Sequence, residues 1–178
     1  MTSEQAWTKP RSFWLATGAL ALCLLTAPAT TQASERANGV TLDPPTGWSR
    51  SQEGQNVVYR KDACSLSVLA PRALGDERPV PFFQQTWSSV KGPLRILKEQ
   101  PPAQLRTGDG SVGRIATAVV DSGADERVVA VFMASDATTA HFIVFTGEAP
   151  NCEAHLATAE QSMRSVSLNG RGSAPKAM

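Results

Sequence analysis

The sequence predicts an α+β domain in which a single antiparallel β-sheet of about six to seven strands is flanked by two helices. Short apolar runs recur between turn-forming residues, and two segments carry apolar residues at helical spacing. The strands toward the carboxyl end are apolar on both faces, as in residues 128–133. Such a sheet needs cover on both sides, which two helices can supply.

The amino-terminal half is expected to form short strands. Val40–Leu42 predicts the first of them, and Trp48 follows as an apolar plug over one end of the core. Residues 56–60 and 64–69 predict two more strands, because the second segment alternates apolar and polar residues. Asp62-Ala63 would join these two strands as a hairpin.

A helix is predicted next, after a loop over residues 71–81. Within residues 82–90 the large apolar side chains, including Phe83 and Trp87, lie on one helical face. Gly92-Pro93 is typical of a helix end. This amphipathic segment is the first of the two predicted helices.

Strands dominate the section that follows. Residues 94–97 predict a strand that Pro101-Pro102 would break. Residues 114–121, 127–134 and 140–146 are separated by turn-rich segments. That spacing is typical of an antiparallel meander.

The last helix has the clearest periodicity in the chain, and Asn151 is its predicted N-cap. Beyond Leu168 the chain is rich in Gly, Ser and Pro, so residues 34–168 are predicted as one globular domain and residues 169–178 as a disordered tail. A single apolar stripe at helical spacing passes through Cys152, Leu156, Ala159, Met163 and Val166.

Residues 1–33 have the order of a secretory signal peptide. Lys9 and Arg11 precede an apolar run over residues 13–25, and small residues then lead to a predicted cleavage after Ala33. The sequence therefore predicts export to the periplasm or out of the cell.

Three alternatives at this segment stay open. Cleavage could follow Ala27 or Ala29 instead. A permanent anchor is the weaker interpretation, since a membrane-spanning helix needs about 20 apolar residues. Cys23 would be the lipidated residue of a lipoprotein, but the bulky Leu22 precedes it, so this alternative is also less favoured.

The charge balance excludes some classes of partner. The chain has 17 basic and 16 acidic residues, and the leader holds Lys9, Arg11 and Glu4, which leaves 15 of each sign. A neutral domain argues against nucleic-acid binding, which normally uses a basic face. It also carries no polybasic patch, so we expect no stable membrane anchor after cleavage.

Two cysteines remain after cleavage. Because Cys64 and Cys152 would lie in an oxidising compartment, we predict a structural disulfide between them. The alternative is two buried free thiols. A redox role would need a C-x-x-C spacing, which is absent.

The segment from Gly108 to Gly113 matches the dinucleotide-binding pattern G-x-G-x-x-G. That fingerprint needs a strand before it and a helix after it, whereas here a strand-like segment follows. Asp109-Gly110 therefore predicts a hairpin turn.

No catalytic or metal-binding pattern is recognisable. His141 and His155 are the only histidines, and neither belongs to a spacing that binds zinc. The nucleophile motifs G-x-S-x-G and S-x-x-K are absent. We therefore predict no catalytic residues, no metal site and no cofactor.

The element order resembles the PsbP-type fold, which includes the PsbP subunits of photosystem II and bacterial DcrB-like envelope proteins. The resemblance is carried by Pro45-Thr46-Gly47-Trp48 near the start, the apolar hairpins between residues 114 and 146, and the final helix through Met163 and Val166. It implies an α/β/α sandwich and a noncatalytic role in docking on partners or assisting assembly. The pair Cys64 and Cys152 departs from the photosynthetic members.

We expect an exported, noncatalytic binding or accessory protein of the bacterial envelope that docks on a protein partner. A small secreted enzyme, or an inhibitor of one, is the alternative, with a site assembled from separate loops. The predicted contact surface consists of two hairpin loops, because loops held by a rigid scaffold commonly carry binding residues. Its residues are Gly108, Asp109, Gly110, Ser122, Gly123 and Asp125.

Overall fold

Ten strands and two helices are formed by the residues that the structure describes. The computed structural model describes residues 33–123 and 125–168. The predicted signal peptide, apart from Ala33, and the predicted disordered tail lie outside them. The element order is β1 Glu35–Ala37, β2 Val40–Leu42, β3 Ser49–Glu53, β4 Asn56–Lys61, β5 Cys64–Val68, β6 Arg72–Ala73, α1 Pro79–Lys91, β7 Arg95–Arg106, β8 Val112–Asp121, β9 Glu126–Ser135, β10 Thr139–Glu148 and α2 Glu153–Arg164.

One antiparallel sheet organises these elements. Its strand order is β3-β4-β5-β10-β9-β8-β7, and the short β6 pairs with the start of β10. The meander β8-β9-β10 lies at its centre, in the register Val119↔Val128 and Val131↔Val144. The predicted α+β class, with a main antiparallel sheet and two helices, is confirmed, and β1 and β2 form a second, smaller sheet.

Both faces of the meander are buried, as its apolar composition predicts. On one face Phe132, Phe145 and Met163 belong to a core closed by α2. On the other face Phe83 and Trp87 of α1 belong to a second core that includes alternate residues of β8, β9 and β10. The sheet therefore separates two hydrophobic layers.

The β1–β2 hairpin forms a separate two-stranded sheet on the α2 side. Asn38 Nδ2 donates to the carbonyls of Gln55 and Val68, both at 2.8 Å. Thr41 and Ser167 exchange backbone hydrogen bonds of 2.9 and 2.8 Å. The hairpin is thereby held against the sheet and against the chain that follows α2.

Two expectations about prolines are wrong. The predicted loop over residues 71–81 contains β6 and the first turn of α1. The helix can begin at Pro79 because a proline, which lacks an N–H, is tolerated in the first turn. Pro101-Pro102 do not break the strand, since β7 continues to Arg106. β7 is an edge strand with a register shift between Gln100 and Ala103, which accommodates residues that cannot donate to the ladder.

The predicted N-cap of the last helix is also wrong. Cys152, and not Asn151, occupies the N-cap position of α2, with no side-chain capping hydrogen bond. Asn151 is exposed in the preceding turn, whereas Cys152 is buried and its N–H donates to the carbonyl of Glu148 at 2.9 Å. Covalent attachment at Cys152, rather than a polar cap, fixes the start of the helix.

A disulfide joins the start of β5 to the start of α2. The sulfurs of Cys64 and Cys152 are 2.07 Å apart, with a Cα–Cα distance of 5.6 Å. A Cβ added at Gly147 would lie 2.2 Å from Cys152 Sγ, so the bridge fits only beside a glycine.

Neither helix of the described ranges is long and apolar enough to span a bilayer.

Removing the bridge with the double variant Cys64→Ala/Cys152→Ala should destabilise the domain. The disulfide closes a loop with a sequence separation of 88 residues. In the chain-entropy model, such a bridge contributes about 4–5 kcal/mol to the free energy of unfolding. Urea denaturation measures the change, and an unchanged midpoint at unchanged slope would contradict it.

Candidate binding site

Helix α2 covers one face of the sheet and is held at both ends. Its start is bonded to β5 through the disulfide, next to Gly147 of β10. Its far end meets the β7–β8 turn, where the N–H of Gly108 donates to the carbonyl of Val166 at 3.0 Å. The part of the sheet between the start of α2 and the middle of β7 is left uncovered.

A cleft of about 180 Å³ lies there, and we call it the β7 cleft. Its floor is largely apolar, and its polar groups lie on the strands and on the first turn of α2. The lining residues are Lys98, Gln100, Thr117, Ala118, Val119, Val128, Glu153 and Leu156.

The charges of the β7 cleft are of opposite sign. Lys98 on β7 and Glu153 on α2 are both exposed, and neither takes part in an ion pair among residues 33–123 and 125–168. Exposed ion pairs contribute at most about 1 kcal/mol each, so these side chains would orient a partner more than hold it. Val128 is already buried, at 1% exposed, so the apolar surface that a partner could bury comes from the half-buried Val119 and Leu156.

The β8–β9 turn, described at residues 122, 123 and 125, follows the end of the strand that forms this floor. The N–H of Ser122 donates to the carbonyl of Asp125 at 3.0 Å, and the N–H of Gly123 donates to Asp121 Oδ1 at 2.7 Å. A second cavity, of about 370 Å³, lies between this turn and residues 93–95. We call the β7 cleft and the β8–β9 turn together the docking end.

The other predicted contact loop lies at the opposite end of β8, about 33 Å away along a ten-residue strand. Gly108, Asp109 and Gly110 form the turn between β7 and β8. A Cβ added at Gly108 would lie 2.8 Å from the carbonyl oxygen of Ser165, so this glycine permits close contact with the end of α2. The six predicted contact residues therefore do not form one surface.

Asp109 anchors that turn. Its Oδ1 accepts hydrogen bonds from Thr107 Oγ1 at 2.7 Å and from the N–H of Ser111 at 3.0 Å. Its Oδ2 accepts from the N–H of Leu168 at 3.0 Å. Burial disfavours the carboxylate, but these donors outweigh burial and lower the pKa of Asp109 to about 2.

The two histidines occupy structural positions. His141 is 7% exposed beneath the β1–β2 hairpin, with Nδ1 3.1 Å from the carbonyl oxygen of Asn38. His155 meets the ring of Trp48 edge-on at a centroid distance of 5.8 Å. Neither histidine lines the β7 cleft.

Within the described ranges, no group of three or more His, Cys, Asp or Glu side chains is placed to hold a metal.

Tyr59 is a buried polar side chain that the sequence does not single out. It is 1% exposed in the α2-side core, and its hydroxyl has no hydrogen-bond partner among the described residues. Burial, followed by the nearby carboxylate of Glu35, raises the pKa of Tyr59 to about 12. The phenol is therefore neutral at physiological pH.

The lining of the β7 cleft is not predictable from a sequence motif. Lys98 and Gln100 come from β7, Thr117 from β8, and Glu153 from α2. Only the packing of α2 on the sheet brings them together. The signal in the sequence that could have indicated this site is the polar composition of residues 98–100, in a strand that pairs with the apolar strand β8.

Comparison with solved structures shows a PsbP-like fold. Cyanobacterial PsbP (CyanoP) from Synechocystis sp. PCC 6803 matches with a TM-score of 0.53 and 12% identity, over 84% of this chain and 99% of that one. The protein of unknown function PA94 from Pseudomonas aeruginosa, described as a putative regulator, matches with a TM-score of 0.53 and 12% identity, over 75% and 94% of the two chains. At such identities the likeness shows the fold alone. No protein-family model matches the sequence, and no curated protein matches it.

Replacing Asp109 with Asn should destabilise the domain by about 1–3 kcal/mol. The carboxylate now accepts hydrogen bonds from two backbone N–H groups, and the NH₂ group of an amide would face one of these donors with another donor. Because the folded pKa is about 2 and the unfolded value is near 4, the stabilisation is present above pH 4 and is lost as the pH falls toward 2.

Urea denaturation at several pH values measures this difference. Asp125→Asn is the matched control, since the side chain of Asp125 makes no hydrogen bond among the described residues. A difference between wild type and Asp109→Asn that persists unchanged at pH 2 would contradict the assignment.

Proposed function

We propose that this chain is an exported, noncatalytic binding protein of the bacterial envelope, and that it docks on a protein partner through the docking end. The observation that carries the proposal is the open β7 cleft beside α2, next to the β8–β9 turn, on a sheet whose other face is closed by α1.

Export is supported by two independent features. The order of residues 1–33 is that of a signal peptide. The disulfide between Cys64 and Cys152 is typical of proteins that fold in an oxidising compartment. The PsbP-like fold is compatible with this location but does not identify a partner.

The shape of the docking end favours a protein over a small molecule. The β7 cleft, at about 180 Å³, is smaller than the 300–1,000 Å³ that drug-sized ligands occupy. The cavity beside Arg95, at about 370 Å³, reaches that range, but it is lined largely by exposed residues, so with the neighbouring turn it extends an open surface along the edge of the sheet. A partner could place one apolar side chain in the cleft and contact the turn with its surroundings.

Reversing a charge of the docking end should abolish partner capture without unfolding the domain, because it sets like charges against each other, which costs several kcal/mol, whereas the lost attraction alone costs about 1 kcal/mol. We expect Lys98→Glu and Asp125→Lys each to lose a partner that the wild-type protein retains after in-cell crosslinking and non-reducing purification. Mass spectrometry of the recovered material measures the loss. The thermal midpoint should stay unchanged, because both side chains are exposed.

Lys61→Glu provides the matched control. Lys61 is exposed at the β4–β5 hairpin, outside the docking end, and the substitution makes the same charge change as Lys98→Glu. We expect this variant to retain the partner. Equal recovery of the same partner from all three variants would contradict the proposed docking end.

A further inference from the structure

The solvent face of α1 carries no charge along most of its length. No Asp, Glu, Lys or Arg occurs from Pro79 to Val90. At the end of the helix, Lys91 Nζ lies 2.6 Å from Glu99 Oε1, which neutralises it. The exposed residues of this face include Val80, Pro81, Gln84, Gln85, Ser88 and Ser89.

Helix α2 provides the comparison within the same domain. It covers the opposite face of the sheet and is of similar length, yet its sequence includes Glu153, Glu160 and Arg164. Charged residues normally make up a quarter to a third of a free protein surface. Depletion of charge is instead a property of the central part of an interface.

A trough of about 450 Å³ runs beside α1. Its helix wall is formed by residues one turn apart, including Phe82, Gln85 and Ser89. Arg72 and Glu77 line it from the segment that precedes the helix. Phe82 is already buried, so the apolar surface that a second copy could cover comes from Val80, which is 38% exposed, and from the half-buried Val90.

Arg72 and Glu77 bring one charge of each sign to the trough. Both are exposed, and neither forms an ion pair within the part of the chain that the structure describes. The guanidinium of Arg72 lies 5.4 Å from the centroid of the Phe82 ring. In a two-fold contact, if residue i of one copy contacts residue j of the other, then residue j of the first copy also contacts residue i of the second. Arg72 of each copy can therefore pair with Glu77 of the other copy.

We propose that this face of α1 and its trough bind a second copy of this chain across a two-fold axis. An uncharged face can approach its own copy without like-charge repulsion, and the reciprocal Arg72–Glu77 pairs fix the register. A 13-residue helix is about 20 Å long, so a contact built on this helix and its trough is small. Small interfaces are typical of weak association, so the expected dimer is weak and concentration-dependent.

Sedimentation velocity of the purified protein, from about 5 to about 200 µM, tests this interface. Wild type is expected to shift from monomer to dimer within that range. Gln85→Glu should weaken association at least tenfold, since it places two carboxylates at the two-fold contact. Gln161→Glu, the same change at an exposed position of α2, should leave association unchanged.

A charge exchange tests the reciprocal pairs. Arg72→Glu alone and Glu77→Arg alone should each weaken association about tenfold, whereas the double variant Arg72→Glu/Glu77→Arg should restore it to within about threefold of wild type. Thermal melting of each variant identifies any loss of folding. A monomer across the whole range, failure of the double variant to restore association, or equal effects of Gln85→Glu and Gln161→Glu would overturn the proposal.

Discussion

The burial of both faces of the β8–β9–β10 meander is the constraint on which the rest of the structure depends. Successive residues of β9 point to opposite faces of the sheet and enter different cores. Val131 and Phe132, for example, are 1% and 0% exposed. Each side chain of this size contributes about 1.5–3 kcal/mol when fully buried. The strands therefore need α1 on one side, and α2 with the β1–β2 hairpin on the other.

The attachment of α2 at its two ends decides which surfaces remain open. The disulfide fixes the start of the helix beside Gly147, and the β7–β8 turn fixes its end through Gly108 and Asp109. A helix held in this way covers one face of the sheet and leaves the middle of β7 uncovered. The two hairpin turns of β8 consequently have different roles: the first is hydrogen-bonded to the chain that follows α2, and the second borders the open β7 cleft.

Apolar runs between turn residues and helical spacing in the sequence were sufficient to predict most strands of the sheet, both helices and the two covered faces. They could not predict β1, β3 or β6, which are short and polar and exist only through pairing with neighbouring strands. Pro101-Pro102 was misjudged, because the effect of proline depends on whether a strand lies at the edge of the sheet. Asn151 was the better capping residue by type, but the bond at Cys152 determined where α2 begins.

The candidate site was less predictable than the fold. The turn containing Ser122, Gly123 and Asp125 was identified from its composition, yet its connection to Lys98 and Glu153 depends on three elements that are distant in the sequence. Asp109 was predicted as a contact residue, whereas the structure bonds its carboxylate to Thr107, Ser111 and Leu168. Turn composition alone does not show whether a turn is hydrogen-bonded to another part of the fold or is left free to contact a partner.

Site-specific photo-crosslinking in living cells is the most direct test of the central claim, that the docking end contacts an envelope protein. A photoreactive residue would replace Lys98, Ser122 or, for comparison, Gln161 on the exposed side of α2. We expect the same partner to be crosslinked from Lys98 and Ser122 and not from Gln161. Crosslinking from Gln161 alone, or from none of the three positions, would contradict it.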